Sequence, residues 1–205
     1  MAVISAGTTI IDAGALGASA GAGKMTLIKT LTASNSATLS FVDGASDVVL
    51  DSTYDKYVFK FINIHPITDT AKLQVNFRDG DSDYDATKTT SVFNAQHNEG
   101  DGSTELGYQD GNDLAQSTNF QDLTRNTGNG NDESTSGALH LFDPSSTTFV
   151  KHFTAETNSY FGNDQTENLF IGGYCNVTAA IDGVQFKMSS GNIDSGVIKL
   201  YGIGG

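Results

Sequence analysis

The sequence predicts an all-β fold, an antiparallel β-sandwich or jelly roll of about ten strands. Hydrophobic and polar residues alternate over short stretches, most clearly where polar residues separate Leu73, Val75 and Phe77. This period of two is typical of a strand with one buried face. Turn sequences such as Ser34-Asn35-Ser36 and Asp43-Gly44 separate the stretches. The sequence contains neither long stretches with a helical period nor internal repeats.

The alternation and the hydrophobic runs place the strands in order along the chain. They are predicted over residues 25–32, 37–42, 47–50, 57–64, 73–77, 138–142, 149–153, 169–175, 184–188 and 197–203. The stretch 57–64 is hydrophobic on both faces, because Tyr57, Phe59 and Phe61 alternate with Val58 and Ile62. Such a run suits a central strand that is covered on both sides.

One short helical segment is predicted within residues 113–127. Asp113 and Ser117 could each cap a helix, with Leu114, Phe120 and Leu123 as apolar anchors. We expect one or two helical turns there, inside a long excursion between strands.

The chain divides into an N-terminal arm, residues 1–23, and a β-sandwich domain, residues 24–205. The arm consists of Gly, Ala, Ser, Thr and a few aliphatic residues, with Asp12 as its one charge. Such a segment offers little surface to bury and loses much backbone entropy when it becomes ordered. We therefore expect a neighbouring subunit to hold it through four aliphatic residues, although it could also pack on its own domain. These subunit-contact candidates are Ile4, Ile10, Ile11 and Leu16.

Composition excludes several classes of function. The 205 residues carry a formal net charge of -13 and no basic cluster, which argues against nucleic-acid binding. No hydrophobic run approaches the ~18 residues of a membrane span, so no membrane insertion is expected. The single cysteine, Cys175, cannot form an internal disulfide and is expected to be a small buried residue. The N-terminus lacks the basic region of a signal peptide, which favours synthesis in a cytoplasm.

Acidic residues concentrate in residues 79–133, which hold half of them and are predicted to be long loops. Within this region Asp79, Asp81, Asp83 and Asp85 occupy alternate positions. Oxygen ligands at this density suit Ca²⁺, and a solvated acidic hairpin tip explains them as well. The EF-hand pattern is not met, because Tyr84 stands at the sixth position of the loop. Three aromatic residues are candidates for an outward or neighbour-facing recognition surface: Tyr84, Tyr108 and Phe120.

An enzymatic function is not expected. The four histidines are scattered, and no zinc-protease or nucleophile-elbow motif surrounds them. We interpret them as structural residues, and apart from the Ca²⁺ candidate we expect no cofactor. The histidines are His65, His97, His140 and His152.

Several segments resemble a family of small virion-associated structural proteins of tailed phages that infect marine bacteria. The resemblance covers most of residues 24–205 and carries no catalytic motif. Its segments are residues 25–44, 48–66, 113–123, 139–153 and 184–203.

The resemblance implies a non-enzymatic virion protein that is made in the host cytoplasm and located in the virion. It would be a capsid decoration protein or a subunit of a tail or collar appendage. Its partners would be other virion proteins and copies of itself, joined through the arm and the β-domain as a homo-oligomer. The alternative is a host-surface glycan-binding module of a tail fibre, with the acidic loops and the tyrosines as its recognition face.

Overall fold

Fifteen β-strands are present in the computed structural model, which describes residues 25–162 and 164–204 together with the backbone of three short strands near the N-terminus. The three are β1 (Val3–Ser5), β2 (Thr8–Asp12) and β3 (Ala15–Leu16). They form an antiparallel sheet of their own in the order β1-β2-β3. Ile4, Ile10, Ile11 and Leu16 belong to these strands, and their side chains lie outside the described residues.

Two larger antiparallel sheets form a β-sandwich from Met25 onward, as predicted. The smaller has four strands in the order β10-β7-β14-β5, and the larger has eight in the order β4-β15-β6-β11-β12-β13-β8-β9. Their bounds are β4 Met25–Thr32, β5 Leu39–Val42, β6 Lys56–Pro66, β7 Leu73–Arg78, β8 Lys88–Asn98, β9 Thr104–Tyr108, β10 Gln121–Asp122, β11 Thr135–Phe142, β12 Lys151–Phe161, β13 Gln165–Cys175, β14 Gly183–Met188 and β15 Ile193–Ile203.

The core lies between the two sheets and is rich in phenylalanine. Phe41 and Phe186 from the smaller sheet pack at steep angles against Phe59 and Phe61 from β6, with ring centroids 5.3–5.4 Å apart. All four rings are buried, as expected for inward-facing positions of alternating strands.

Strand β6 is central, as predicted, but it is covered on both faces over only part of its length. On the outer face Val58 is buried whereas Ile62 is exposed. Asn63 then adopts a positive φ of 49°, opposite an irregular register on β15. This bulge returns the next residue, Ile64, to the core.

The predicted helix in residues 113–127 is wrong. The backbone of this segment bonds outward to strands, so its groups are not available for helical bonds. The amide of Ser117 donates to Lys88, that of Leu123 to Leu73 and that of Thr127 to Ala71, at 2.7–3.0 Å. The segment therefore runs along strand edges, and no helix is present among the described residues.

Two further predictions need correction. Residues 47–50 form no strand, because Ser46 and Asp47 have positive φ and the chain turns there, although Val48 and Leu50 are buried. The acidic region 79–133 is not only loops, since it contains β8, β9 and β10. Among the described residues, no helix has the length and hydrophobicity needed to cross a membrane.

Two adjacent glycines of β13 differ sharply in the space around them, and this difference can be tested. A Cβ at Gly173 would lie 2.5 Å from Thr90 Cγ2 and 2.7 Å from the Thr89 carbonyl oxygen, whereas at Gly172 the nearest atom is 3.9 Å away. We expect Gly173→Ala to lower the free energy of unfolding by about 1–3 kcal/mol through overpacking. The matched control Gly172→Ala should stay within about 0.5 kcal/mol. Urea unfolding measures both, and equal values would contradict the assigned packing.

Candidate functional site

A hydrophobic patch lies on the outer face of the eight-stranded sheet, where β13, β8 and β9 are neighbours. We call Phe93, Leu106, Tyr108 and Phe170 the outer patch. Leu106 is 78% exposed, Tyr108 58% and Phe93 47%, while Phe170 is half-buried. The register places Phe170, Phe93 and Tyr108 in one row across the three strands. Large hydrophobic side chains are thus presented together to the surroundings at one edge of the sheet.

Strand pairing fixes the geometry of the outer patch. The rings of Phe93 and Phe170 stack with centroids 4.9 Å apart and planes 12° from parallel. The hydroxyl of Tyr108 donates a 2.6 Å hydrogen bond to Asp113 Oδ2, which holds that ring at the edge. The patch is therefore a fixed surface built on strands, which lowers the entropy cost of covering it.

A shallow cavity of about 400 Å³ adjoins the outer patch. Gly172 leaves its floor open, because no side chain projects there. Burial, followed by the positive charges of Lys56 and Lys60, lowers the pKa of His140, so this imidazole is neutral at pH 7. The cavity thus combines aromatic rings with neutral and acidic hydrogen-bonding groups. Its lining side chains include Ser91, Phe93, His140, Thr154, Glu156 and Phe170.

Three of the four predicted Ca²⁺ ligands converge. One carboxylate oxygen from each of Asp79, Asp81 and Asp85 lies within 4.8 Å of the others. Asp83 is outside this group, and its amide instead donates a 2.8 Å bond to Asp81 Oδ1. Burial, with the negative charges of Asp85 and Asp81, raises the pKa of Asp79. The three residues could supply part of the oxygen shell that a calcium ion takes.

The three predicted recognition residues lie in separate places. Tyr108 belongs to the outer patch. Tyr84 lies beside the Arg78 side chain near Gly183 of β14. The ring of Phe120 lies under the Lys187 ammonium group, with Nζ 4.2 Å from the ring centroid. Arg78 and Lys187 belong to strands of the smaller sheet, whereas Tyr108 belongs to β9 of the larger sheet.

Sequence reasoning missed two buried polar groups. Glu167 on β13 is 1% exposed, and its Oε1 accepts bonds from Arg125 Nη1 at 2.9 Å and Asn94 Nδ2 at 3.1 Å. Lys88 on β8 is fully buried, and its Nζ donates to Asn76 Oδ1. The available signal was the polar alternation of residues 88–98, in which Lys88 and Asn94 lie on the same face.

Comparisons of the chain with protein-family models, with curated proteins and with solved structures find no match in any of the three.

Proposed function

We propose that the protein is a non-enzymatic structural component of a phage virion, a capsid decoration protein or a subunit of a tail or collar appendage. The observation that carries the proposal is the outer patch, because exposed hydrophobic surface of this kind marks a face that other proteins cover. The resemblance of residues 25–44 and 184–203 to virion-associated proteins supports the choice of partners. These are other virion proteins and copies of the same chain.

The position of the outer patch supports assembly through the sheet edge. Strand β9 is the last strand of the eight-stranded sheet, and it pairs with β8 alone among the described strands. An edge strand that also presents Leu106 and Tyr108 offers both backbone groups and hydrophobic area to a neighbour. In a symmetric particle each such contact is repeated, so contacts of low individual affinity together give a high overall affinity. The arm, residues 1–23, supplies a second contact in this proposal.

A second candidate function is host-surface glycan binding, and the cavity beside Phe93 and Phe170 favours it. Its polar side chains, His140 and Glu156 among them, could bond to hydroxyl groups while an aromatic ring covers the apolar face of a sugar. Retention on a glycan array that Phe93→Ala abolishes would support this candidate. No retention, with and without Ca²⁺, would count against it.

The test of the proposal is incorporation into particles. A host that expresses the chain from a plasmid is infected with phage lacking its own copy of the gene, and the protein content of purified virions is measured by mass spectrometry. We expect the wild-type chain in the virions. We expect Leu106→Lys, which places a charge in the outer patch, to be incorporated about tenfold less, equivalent to losing ~1.4 kcal/mol of contact.

Phe149→Ser is the matched control, because Phe149 is 71% exposed and lies outside the outer patch. It should be incorporated like the wild type. A wild-type chain absent from purified virions would overturn the proposed function. Normal incorporation of Leu106→Lys would overturn the role of the outer patch.

A further inference from the structure

Lys88 and Asn76 make a buried contact between the two sheets of the sandwich. Asn76 lies on β7 of the four-stranded sheet and Lys88 on β8 of the eight-stranded sheet, and both are fully buried. Lys88 Nζ is 2.5 Å from Asn76 Oδ1 and 2.7 Å from the Ala86 carbonyl oxygen. A primary amine is therefore held against a carboxamide with water excluded from both.

The distance places the amine within reach of the carboxamide carbon. Because a C=O bond is about 1.2 Å long, Asn76 Cγ can be no more than about 3.7 Å from Lys88 Nζ. Reacting atoms that are held about 3–3.5 Å apart are close to the geometry of attack. The amine and the carbon are thus nearly in contact before any reaction.

The surroundings of Asn76 hold its carboxamide in one orientation. Nδ2 donates a 2.9 Å bond to the Thr118 carbonyl oxygen, while Oδ1 accepts a 2.9 Å bond from the Phe77 amide. The Phe77 N–H is aimed at the oxygen on which negative charge would develop if the amine attacked Cγ. A fixed donor at such a position stabilises a tetrahedral intermediate.

The burial of Lys88 favours the neutral form of its amine, which is the form that can attack a carbonyl carbon. Burial lowers the pKa of Lys88 to about 8, so roughly a tenth of the side chain is a neutral amine at pH 7. The negative charges of Asp85 and Asp79, at the ends of the loop that joins β7 and β8, oppose this shift because they favour the protonated lysine.

We propose that Lys88 and Asn76 form an intramolecular isopeptide bond. A new bond joins Lys88 Nζ to Asn76 Cγ, and the bond from Cγ to Nδ2 breaks. One proton passes from the amine to the departing nitrogen, and the leaving group is ammonia. The reaction is an exchange of one amide for another, so it consumes no oxidant, reductant or other co-reactant.

The bond would join the two sheets covalently and close the loop that carries Asp79, Asp81 and Asp85. Lys151 provides an internal comparison, because it is also fully buried on the eight-stranded sheet. Its Nζ donates to the carbonyl oxygens of Ser146 at 3.0 Å and Phe149 at 3.2 Å. Main-chain amides offer no ammonia as leaving group, so Lys151 should keep its free amine.

Mass spectrometry of the purified full-length chain tests the proposal. The intact mass should be lower than the sequence mass by one ammonia molecule. After denaturation and digestion with trypsin, residues 73–78 should be joined to residues 79–125, because cleavage after a modified Lys88 is blocked. Cleavage after Lys151 should proceed normally, and Lys88→Arg should restore the full mass and release residues 73–78 as a free peptide.

Peptide mapping separates this reaction from succinimide formation, which also releases ammonia and for which Asn129-Gly130 is a suitable sequence. Loss of ammonia with residues 73–78 recovered as a free peptide would overturn the proposal. So would an unchanged intact mass with cleavage after Lys88 in the wild-type chain, a result that does not depend on whether Lys88→Arg folds.

Discussion

Replacing Arg125 with methionine is expected to lower the free energy of unfolding by about 3 kcal/mol at pH 7. The guanidinium is the one cationic partner that the described residues give to the buried carboxylate of Glu167, at 2.9 Å. Removing it leaves a carboxylate that is 1% exposed with no positive charge beside it and the Asn94 amide as its remaining donor, since Glu167 Oε2 accepts no hydrogen bond among the described residues. The guanidinium carbon of Arg125 lies 5.5 Å from the centroid of the Phe161 ring. Methionine retains a hydrophobic side chain of similar length at this position, so the loss reports mainly on the charge.

The loss of folding stability in Arg125→Met should become smaller as the pH falls. Burial raises the pKa of Glu167 above its usual value of 4.5, and Arg125 opposes this rise. The folded state therefore prefers the neutral acid. The stability that protonated Glu167 contributes to the folded protein is fully present below pH 4.5, and it is lost as the pH rises through the folded-state pKa. Without Arg125 that pKa rises further, so the variant should approach wild-type stability at acid pH. Urea unfolding between pH 4 and pH 8 measures the trend.

Two controls isolate the buried charge. Arg125→Met combined with Glu167→Gln should recover most of the loss and flatten its pH dependence, because glutamine is neutral at every pH. Lys72→Met breaks the more exposed pair with Asp122, where Nζ and Oδ2 are 2.7 Å apart, and should cost no more than about 1 kcal/mol. An equal, pH-independent loss in Arg125→Met and in the double variant would refute the assignment to Glu167.

Strands whose inward side chains are hydrophobic could be predicted from the sequence. Val184, Phe186 and Met188 of β14 face the core between polar neighbours, and the fold confirms the pattern. Strand β8 was missed because its alternation is inverted. Lys88 and Asn94 point inward, whereas Phe93 belongs to the exposed outer patch. Val92 is the one large hydrophobic residue among the buried positions of β8, and hydrophobic periodicity cannot identify a strand whose buried face is mostly polar.

The candidate sites could likewise be predicted from the sequence only in part. The convergence of Asp79, Asp81 and Asp85 could be predicted in part, because positions in one short loop lie near each other in space, but the exclusion of Asp83 depends on the path of the loop. The contact between Lys88 and Asn76 could not, since it depends on how the chain passes from one sheet to the other. The outer patch likewise depends on the pairing of Phe93 with Phe170, which are far apart in the sequence.

The aromatic cluster of the core gives the largest effect that we expect from a single truncation. Phe186 on β14 is the ring that contacts Phe41, Phe59 and Phe61 at once, with centroids 6.3, 5.4 and 5.3 Å away. It therefore joins the four-stranded sheet to the eight-stranded sheet at their centre. Its fully buried position leaves surrounding rings little room to collapse into the space it fills.

Phe186→Ala should accordingly lower the free energy of unfolding by about 3–5 kcal/mol, from lost burial and from the cavity that remains. Phe186→Leu retains most of the volume and should cost clearly less, whereas Phe149→Ala, at a 71% exposed side chain, should change stability by no more than about 0.5 kcal/mol. Unfolding in guanidinium chloride measures these differences, provided that the unfolding free energy of all three variants depends on denaturant concentration with the same slope. If Phe186→Ala and Phe149→Ala were equally mild, the aromatic cluster could not be what holds the two sheets together.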